Sequence, residues 1–113
     1  MRITSSALTA VCASMLVSAC SLTLPVQGSV QNSGETFTGT ATGYMDGAGD
    51  LRIVSSKGSV CEGNFVYVTG RQGEGVFTCT DGRTGPFQFV STGQRGTGYG
   101  SLGGQNFTFT FGS

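Results

Sequence analysis

Between Cys61 and Phe89 the chain reads CEGNFVYVTGRQGEGVFTCTDGRTGPFQF, and this stretch decides the fold. Cys61 and Cys79 are equidistant from Gly70. A hairpin that sets them opposite one another therefore also sets Gly63 opposite Phe77, Phe65 opposite Gly75 and Tyr67 opposite Gly73. On that face every aromatic meets a glycine. A ring laid over the bare backbone of a cross-strand glycine shields it and gains contact, so glycines that weaken an isolated strand become sockets. The other face sets Glu62, Asn64, Val66 and Val68 against Glu74, Val76 and Thr78, a mixed surface compatible with water.

The same exchange of large for small continues on both sides. Upstream, FTGTATGYMDGAGDLRI sets Phe37 against Ile53, Gly39 against Leu51 and Ala41 against Gly49 around a short turn at Tyr44 to Asp46. Downstream, GPFQFVSTGQRGTGYGSL sets Phe87 against Gly100 and Phe89 against Gly98 around Thr92 to Arg95. The return strands carry Gly47-Ala48-Gly49, Gly73-Glu74-Gly75 and Gly96-Thr97-Gly98 at near-regular spacing, the mark of a repeat array whose units bury their faces against neighbours. Short joins at Ser55 to Gly58, Thr80 to Thr84 and Gly103 to Asn106 force neighbouring strands to be antiparallel. Phe107-Thr108-Phe109-Thr110-Phe111 alternates without fault and reads as the last strand. Its three rings need a cover: sheet curvature, the N-terminal segment or another molecule.

Cys61-Glu62-Gly63-Asn64-Phe65, Gly73-Glu74-Gly75-Val76-Phe77 and Thr80-Asp81-Gly82 resemble, in order, the MORN repeat. That repeat runs aromatic, x-Gly-x-aromatic, loop, Gly-x-Gly, alternating strand and closing Asp-Gly turn. The likeness is good for this unit, fair for 37–60 and poor for 85–111, where Phe87 takes the x-Gly-x position. Cys61 and Cys79 stand where the repeat usually has tyrosine. Taken together, the expectation is an all-β domain over 37–113. It is an antiparallel up-and-down meander of about seven strands built from three MORN-like hairpins, without helix. The resemblance implies a protein-assembly or self-association surface. The repeat glycines are Gly47, Gly49, Gly63, Gly73, Gly75, Gly96 and Gly98, and the core aromatics are Phe37, Phe65, Phe77, Phe87, Phe89, Phe107, Phe109 and Phe111.

At 113 residues the chain has room for one domain, and its twenty glycines with no His or Trp favour short strands and tight turns over helices. Residues 1–20, MRITSSALTAVCASMLVSAC, carry one positive charge at Arg2 and an apolar run from Ala7 to Val17 that is too short for a permanent membrane span. This is a signal peptide over 1–19. Val17-Ser18-Ala19-Cys20 resembles the lipobox of bacterial lipoproteins, which implies lipid on Cys20 and a membrane anchor; an ordinary signal peptide cut near Ala19 is the bland alternative. Ser21 in place of aspartate implies the outer membrane by the same resemblance. Residues 20–36, with Pro25, Gly28, Asn32, Ser33 and Gly34, read as a flexible tether, although Leu22, Leu24 and Val26 alternate as an edge strand does.

With Cys12 removed and Cys20 lipidated, only Cys61 and Cys79 remain, and export to an oxidising compartment makes them a disulfide. The hairpin register independently brings them within bonding range. Two cysteines without histidine make a poor metal set, and no metal or cofactor is expected. The basic residues Arg52, Lys57, Arg71, Arg83 and Arg95 balance Glu35, Asp46, Asp50, Glu62, Glu74 and Asp81, which gives no patch for nucleic acid; they read as solubilising charges at turns. Among the carboxylates, Asp46 and Asp81 precede turn glycines, and Glu62 and Glu74 lie on the mixed face a few rungs from a turn. No serine or threonine has a base, so no catalytic residue and no small-molecule substrate are expected. The sequence thus points to a non-enzymatic, lipid-anchored envelope protein that binds another envelope protein or itself. The alternative is a small inhibitor of a periplasmic or host enzyme, similar in size, anchor and single disulfide to membrane-bound lysozyme inhibitors.

Overall fold

Alternation with period two puts one face of a strand inside and the other outside, and a face made of rings and glycines has an area that only a strongly curved sheet can cover. The computed structural model describes residues 21–44 and 46–112 and shows that curvature carried to completion. Its strands are β1 (Ser21–Val30), β2 (Thr36–Tyr44), β3 (Ala48–Ser55), β4 (Val60–Tyr67), β5 (Gln72–Cys79), β6 (Thr84–Thr92), β7 (Arg95–Leu102) and β8 (Gln105–Phe111). Each pairs antiparallel with the next, and β1 pairs with β8 to close the barrel. The described residues contain no helix. The signal peptide expected over 1–19 and Cys20, the expected lipidation site, lie outside the described residues.

The expected meander is therefore present with eight strands, and it is closed rather than open. The additional strand is Ser21–Val30, read from sequence as part of a flexible tether. It forms a nine-residue ladder with β2 from Ser21↔Tyr44 to Ser29↔Thr36, and a shorter one with β8 from Val26↔Phe111 to Val30↔Phe107. Pro25, which has no N–H to donate, sits where the β8 ladder runs out, and its carbonyl accepts the Gly112 N–H at 2.9 Å. Two of the three covers anticipated for the β8 stripe are used: the sheet curls, and the N-terminal segment joins it.

The central hairpin has the register expected, Cys61↔Cys79, Gly63↔Phe77, Phe65↔Gly75 and Tyr67↔Gly73, and so does the downstream one, Phe87↔Gly100 and Phe89↔Gly98. The upstream hairpin is displaced by two residues: Phe37 faces Ser55, Gly39 faces Ile53 and Ala41 faces Leu51. Its turn is the cause. The Gly47 N–H donates to the Tyr44 carbonyl, and Gly47 has φ 85°, a three-residue hairpin loop with a glycine bulge that moves the pairing centre along the chain. The same turn recurs where Gly58 bonds back to Ser55 and Gly82 to Cys79, so the Gly at the end of each loop supplies a positive φ.

Inside, the rings and glycines interlock around the whole barrel. Phe65 has glycine on both flanking strands (Gly49, Gly75), and so do Phe77 (Gly63, Gly85), Phe87 (Gly75, Gly100), Phe89 (Gly73, Gly98) and Phe109 (Gly98, Gly28). All eight phenylalanines are buried, and Phe77 packs against Phe87 with ring centroids 4.3 Å apart. Most polar side chains point outward, and Glu35, Ser55 and Ser91 are the buried exceptions among the described residues.

Candidate functional site

The two ends of the barrel differ. One end holds the β1–β2 connection and the turns after β3, β5 and β7, and it is sealed. Cys61 and Cys79 are joined there by a disulfide, with Phe37, Leu102 and Phe107 packed beside them at 1% exposure each. Over this apolar floor lies an ion pair. The Arg83 guanidinium donates to both carboxylate oxygens of Glu35 at 2.7 Å, and its Nε donates to Asp81 Oδ2 at 2.8 Å. It also stands 5.9 Å from the Phe37 ring centre. Ser55 donates its hydroxyl to Glu35, whose side chain is almost wholly buried. The Arg83 fork holds the Glu35 carboxyl below its ordinary pKa, against the opposing effect of burial and with help from Ser55. Arg83 is raised further, chiefly by Glu35.

The expectation that all charges merely solubilise turns is therefore corrected at Glu35 and Arg83, which strap the sealed end shut. Sequence reasoning had no signal for them. They are 48 residues apart, and neither belongs to a periodic pattern.

The other end is open. The strands leave a cavity of about 410 Å³ lined by Leu22, Leu24, Ala41, Gly43, Tyr44, Leu51, Phe65, Tyr67, Phe89, Phe109 and Phe111, with Ser21, Gly93 and Gln94 at its edge. Among the described residues no charged side chain lines it. The void has a sequence cause. Rings from β4, β6 and β8 fill one side, whereas the inward positions of β2 at this end are Ala41 and Gly43, too small to meet them. A Cβ added to Gly43 would touch nothing within 4 Å. Leu22 and Tyr44 are half exposed at the rim, and Tyr67 leans across it, its hydroxyl 3.4 Å from Ser91 Oγ and its ring centroid 5.4 Å from that of Phe89. Arg71 pins the β4–β5 connection beside it, donating to the Ser91 carbonyl and to Thr92.

The outer wall is also two-sided. On β8, β1 and β2 the outward residues include Thr108, Thr110, Thr23, Gln27, Ser29, Thr36, Thr38, Thr40 and Thr42, uncharged and hydroxyl-rich, with Pro25 and Tyr44 among them. On β4 to β7 they include Val66, Val76, Pro86, Val90 and Tyr99, with Val68 just beyond β4; Val68 is 60% and Tyr99 61% exposed. This flank carries most of the exposed large apolar side chains of the barrel.

The repeat glycines sit in two roles. Gly49, Gly63, Gly73, Gly75, Gly96 and Gly98 lie under rings of the interior, and Gly47 makes a turn. Asp46 accepts the Ala48 N–H and Asp81 the Arg83 N–H, local turn bonds at opposite ends of the barrel. Glu62 and Glu74 point outward and are exposed. Among the described residues no cluster of His, Cys, Asp and Glu is arranged to hold a metal ion.

No family model and no curated protein matches the chain. Two solved structures are similar in fold. One is a redesigned β-barrel, mFAP1, bound to DFHBI, with a TM-score of 0.66 and 16% identity over 80% of this chain and 92% of that one. The other is a de novo designed fluorescence-activating β-barrel, with a TM-score of 0.61 and 14% identity over 79% of this chain and 88% of that one. At these identities the likeness concerns architecture alone: the chain is an all-β protein whose antiparallel strands close into an eight-stranded meander barrel.

Proposed function

We propose that this is a non-enzymatic envelope protein, held to the outer membrane by lipid on Cys20, whose barrel presents the outer flank of β4 to β7 to another envelope protein. The observation that carries the reading is the segregation of the outer wall. Val66, Val76, Val90 and Tyr99 are gathered on adjacent strands, while the opposite flank offers threonines. These side chains are interspersed with Glu74, Gln72 and Gln88, so the flank mixes exposed apolar and polar groups as docking surfaces do, and a partner would cover apolar area that strand propensity alone leaves in water. The lipobox-like Val17-Ser18-Ala19-Cys20 supports the anchor, and the MORN-like hairpins support an assembly role.

The test uses the full chain in its native envelope. A photo-crosslinking amino acid at position 76 should capture a defined protein adduct, and one at Thr40 on the opposite flank should not. Equal capture from both positions, or none from position 76, overturns the docking flank. Metabolic labelling with a palmitate analogue should mark the protein and fail for Cys20→Ala, and unchanged labelling removes the anchor.

A further inference from the structure

We infer that the open mouth is a binding site for one acyl chain, taken up tail first at the membrane surface. The inference rests on the reading of Cys20 as the lipidated residue for the nearness of the mouth to lipid and for the source of the chain; the apolar cavity itself rests on geometry. Its volume, about 410 Å³, lies within the usual range of small-ligand pockets, roughly 300–1,000 Å³. The inner wall is made of Leu24, Leu51, Phe65, Phe89, Phe109 and Phe111, and among the described lining residues there is no carboxylate, ammonium or guanidinium to pair with a charged ligand. A polar ligand entering would leave its own groups without partners, whereas a hydrocarbon loses nothing and covers the rings. The polar side chains among the lining residues, Ser21, Gln94 and Tyr67, come from the strand ends and turns that form the rim, and Tyr44 turns its hydroxyl outward to Asp50 at 3.0 Å. Depth is therefore apolar and the entrance wet, which suits a chain whose polar end stays outside.

The position of the mouth commits the ligand to lipid. β1 begins at Ser21, so there is no spacer between position 20 and the barrel, and Ser21 itself edges the cavity. Consecutive Cα atoms are about 3.8 Å apart. An anchor on Cys20 thus holds this end, and not the sealed end, against the bilayer. The half-exposed Leu22 and Tyr44 then meet the interface, where tyrosine is at home.

Gly43→Phe supplies the test, because its side chain would grow into the void from a position with no neighbour within 4 Å and with no positive φ to strain. In cells fed a diazirine fatty acid, photolysis of the full-length protein should place adducts on peptides carrying Leu51, Phe65 or Phe89, and Gly43→Phe should lower them at least tenfold. Adducts that persist in the variant, or that fall only on outward residues, overturn the site. The mass of the adduct separates the two sources: a phospholipid fragment marks a bilayer chain, and a link to the Cys20 peptide marks the protein's own anchor. A second arm uses the barrel, residues 21–113, whose eight strands pair only with one another. Titrated with cis-parinaric acid, it should bind one equivalent, with at least tenfold weaker binding in Gly43→Phe. Parinarate binding without palmitate labelling of Cys20 supports the site and removes the anchor; labelling without parinarate binding sinks the site alone.

Discussion

The ring of Phe65 lies over Gly49, on the strand before it, and not over Gly75, its partner in the central hairpin. The backbone at Gly75 is covered instead by Phe87 from β6, that at Gly73 by Phe89, and that at Gly98 by Phe109 from β8. The rings lean toward the preceding strand, so each hairpin roofs the one before it. Among the repeat glycines Gly63 alone is met by its own hairpin partner, Phe77, together with Phe87; the other covering contacts run between hairpins, which makes the barrel one cooperative unit.

Adding a methyl group at Gly49 should collide with that ring and with the Thr42 carbonyl, and Gly49→Ala is expected to destabilise by about 1–3 kcal/mol through overpacking. Gly43→Ala, near the turn and facing the void, should be neutral or slightly stabilising. Urea denaturation of the two variants checks the contrast, and equal losses would mean that the rings do not occupy the glycine positions.

Phe77 is fully buried and touches the rings of Phe87, Phe107 and Phe109. Truncation to alanine should cost about 3–5 kcal/mol, measurable as a fall in the denaturation midpoint. A loss below about 1 kcal/mol is incompatible with a close-packed sealed end.

Glu35→Gln removes one partner of a buried pair and leaves Arg83 with Asp81 alone, so a loss of about 3 kcal/mol is expected at neutral pH. The pH dependence has a definite sign. Glu35 is held below its usual value of 4.5, so its contribution is complete above that pH and disappears as pH falls through the lower folded-state value. The gap in stability between wild type and Glu35→Gln should therefore narrow on acidification. A gap that widens as the pH drops would contradict the strap.

Reduction of Cys61–Cys79, which closes a loop of 18 residues' separation, should lower stability by about 3 kcal/mol in the chain-entropy account. Non-reducing mass spectrometry should recover the two peptides joined, and two free thiols would contradict the central register.

What the sequence revealed of this fold was the local part. Cys61, Phe65, Phe77 and Cys79 lie on one short hairpin whose spacing sets its own register, and Phe87 and Phe89 are fixed in the same way by the tight turn at Gly93-Gln94. Strand β1 was hidden because Pro25, Gly28 and the Asn32-Ser33-Gly34 run are the signature of a linker. Its identity as a strand depends on ladders with β2 and with the distant β8, and no local pattern announces the latter. The upstream register slipped because the bulge at Gly47 depends on backbone conformation rather than on alternation. The cavity was equally illegible: Ala41 and Gly43 look like two more small residues answering large ones, and only closure shows that nothing large answers back.

Joining β1 to β8 has one more consequence. An open array of hairpins can lengthen by receiving another hairpin at its end, and copies can polymerise through exposed main-chain donors and acceptors. A ring of strands offers no such terminus. Among the described residues the free main-chain margin shrinks to the short overhang of Ser21 to Leu24 beyond the β8 ladder, and everywhere else on the barrel a partner copy meets side chains of the wall.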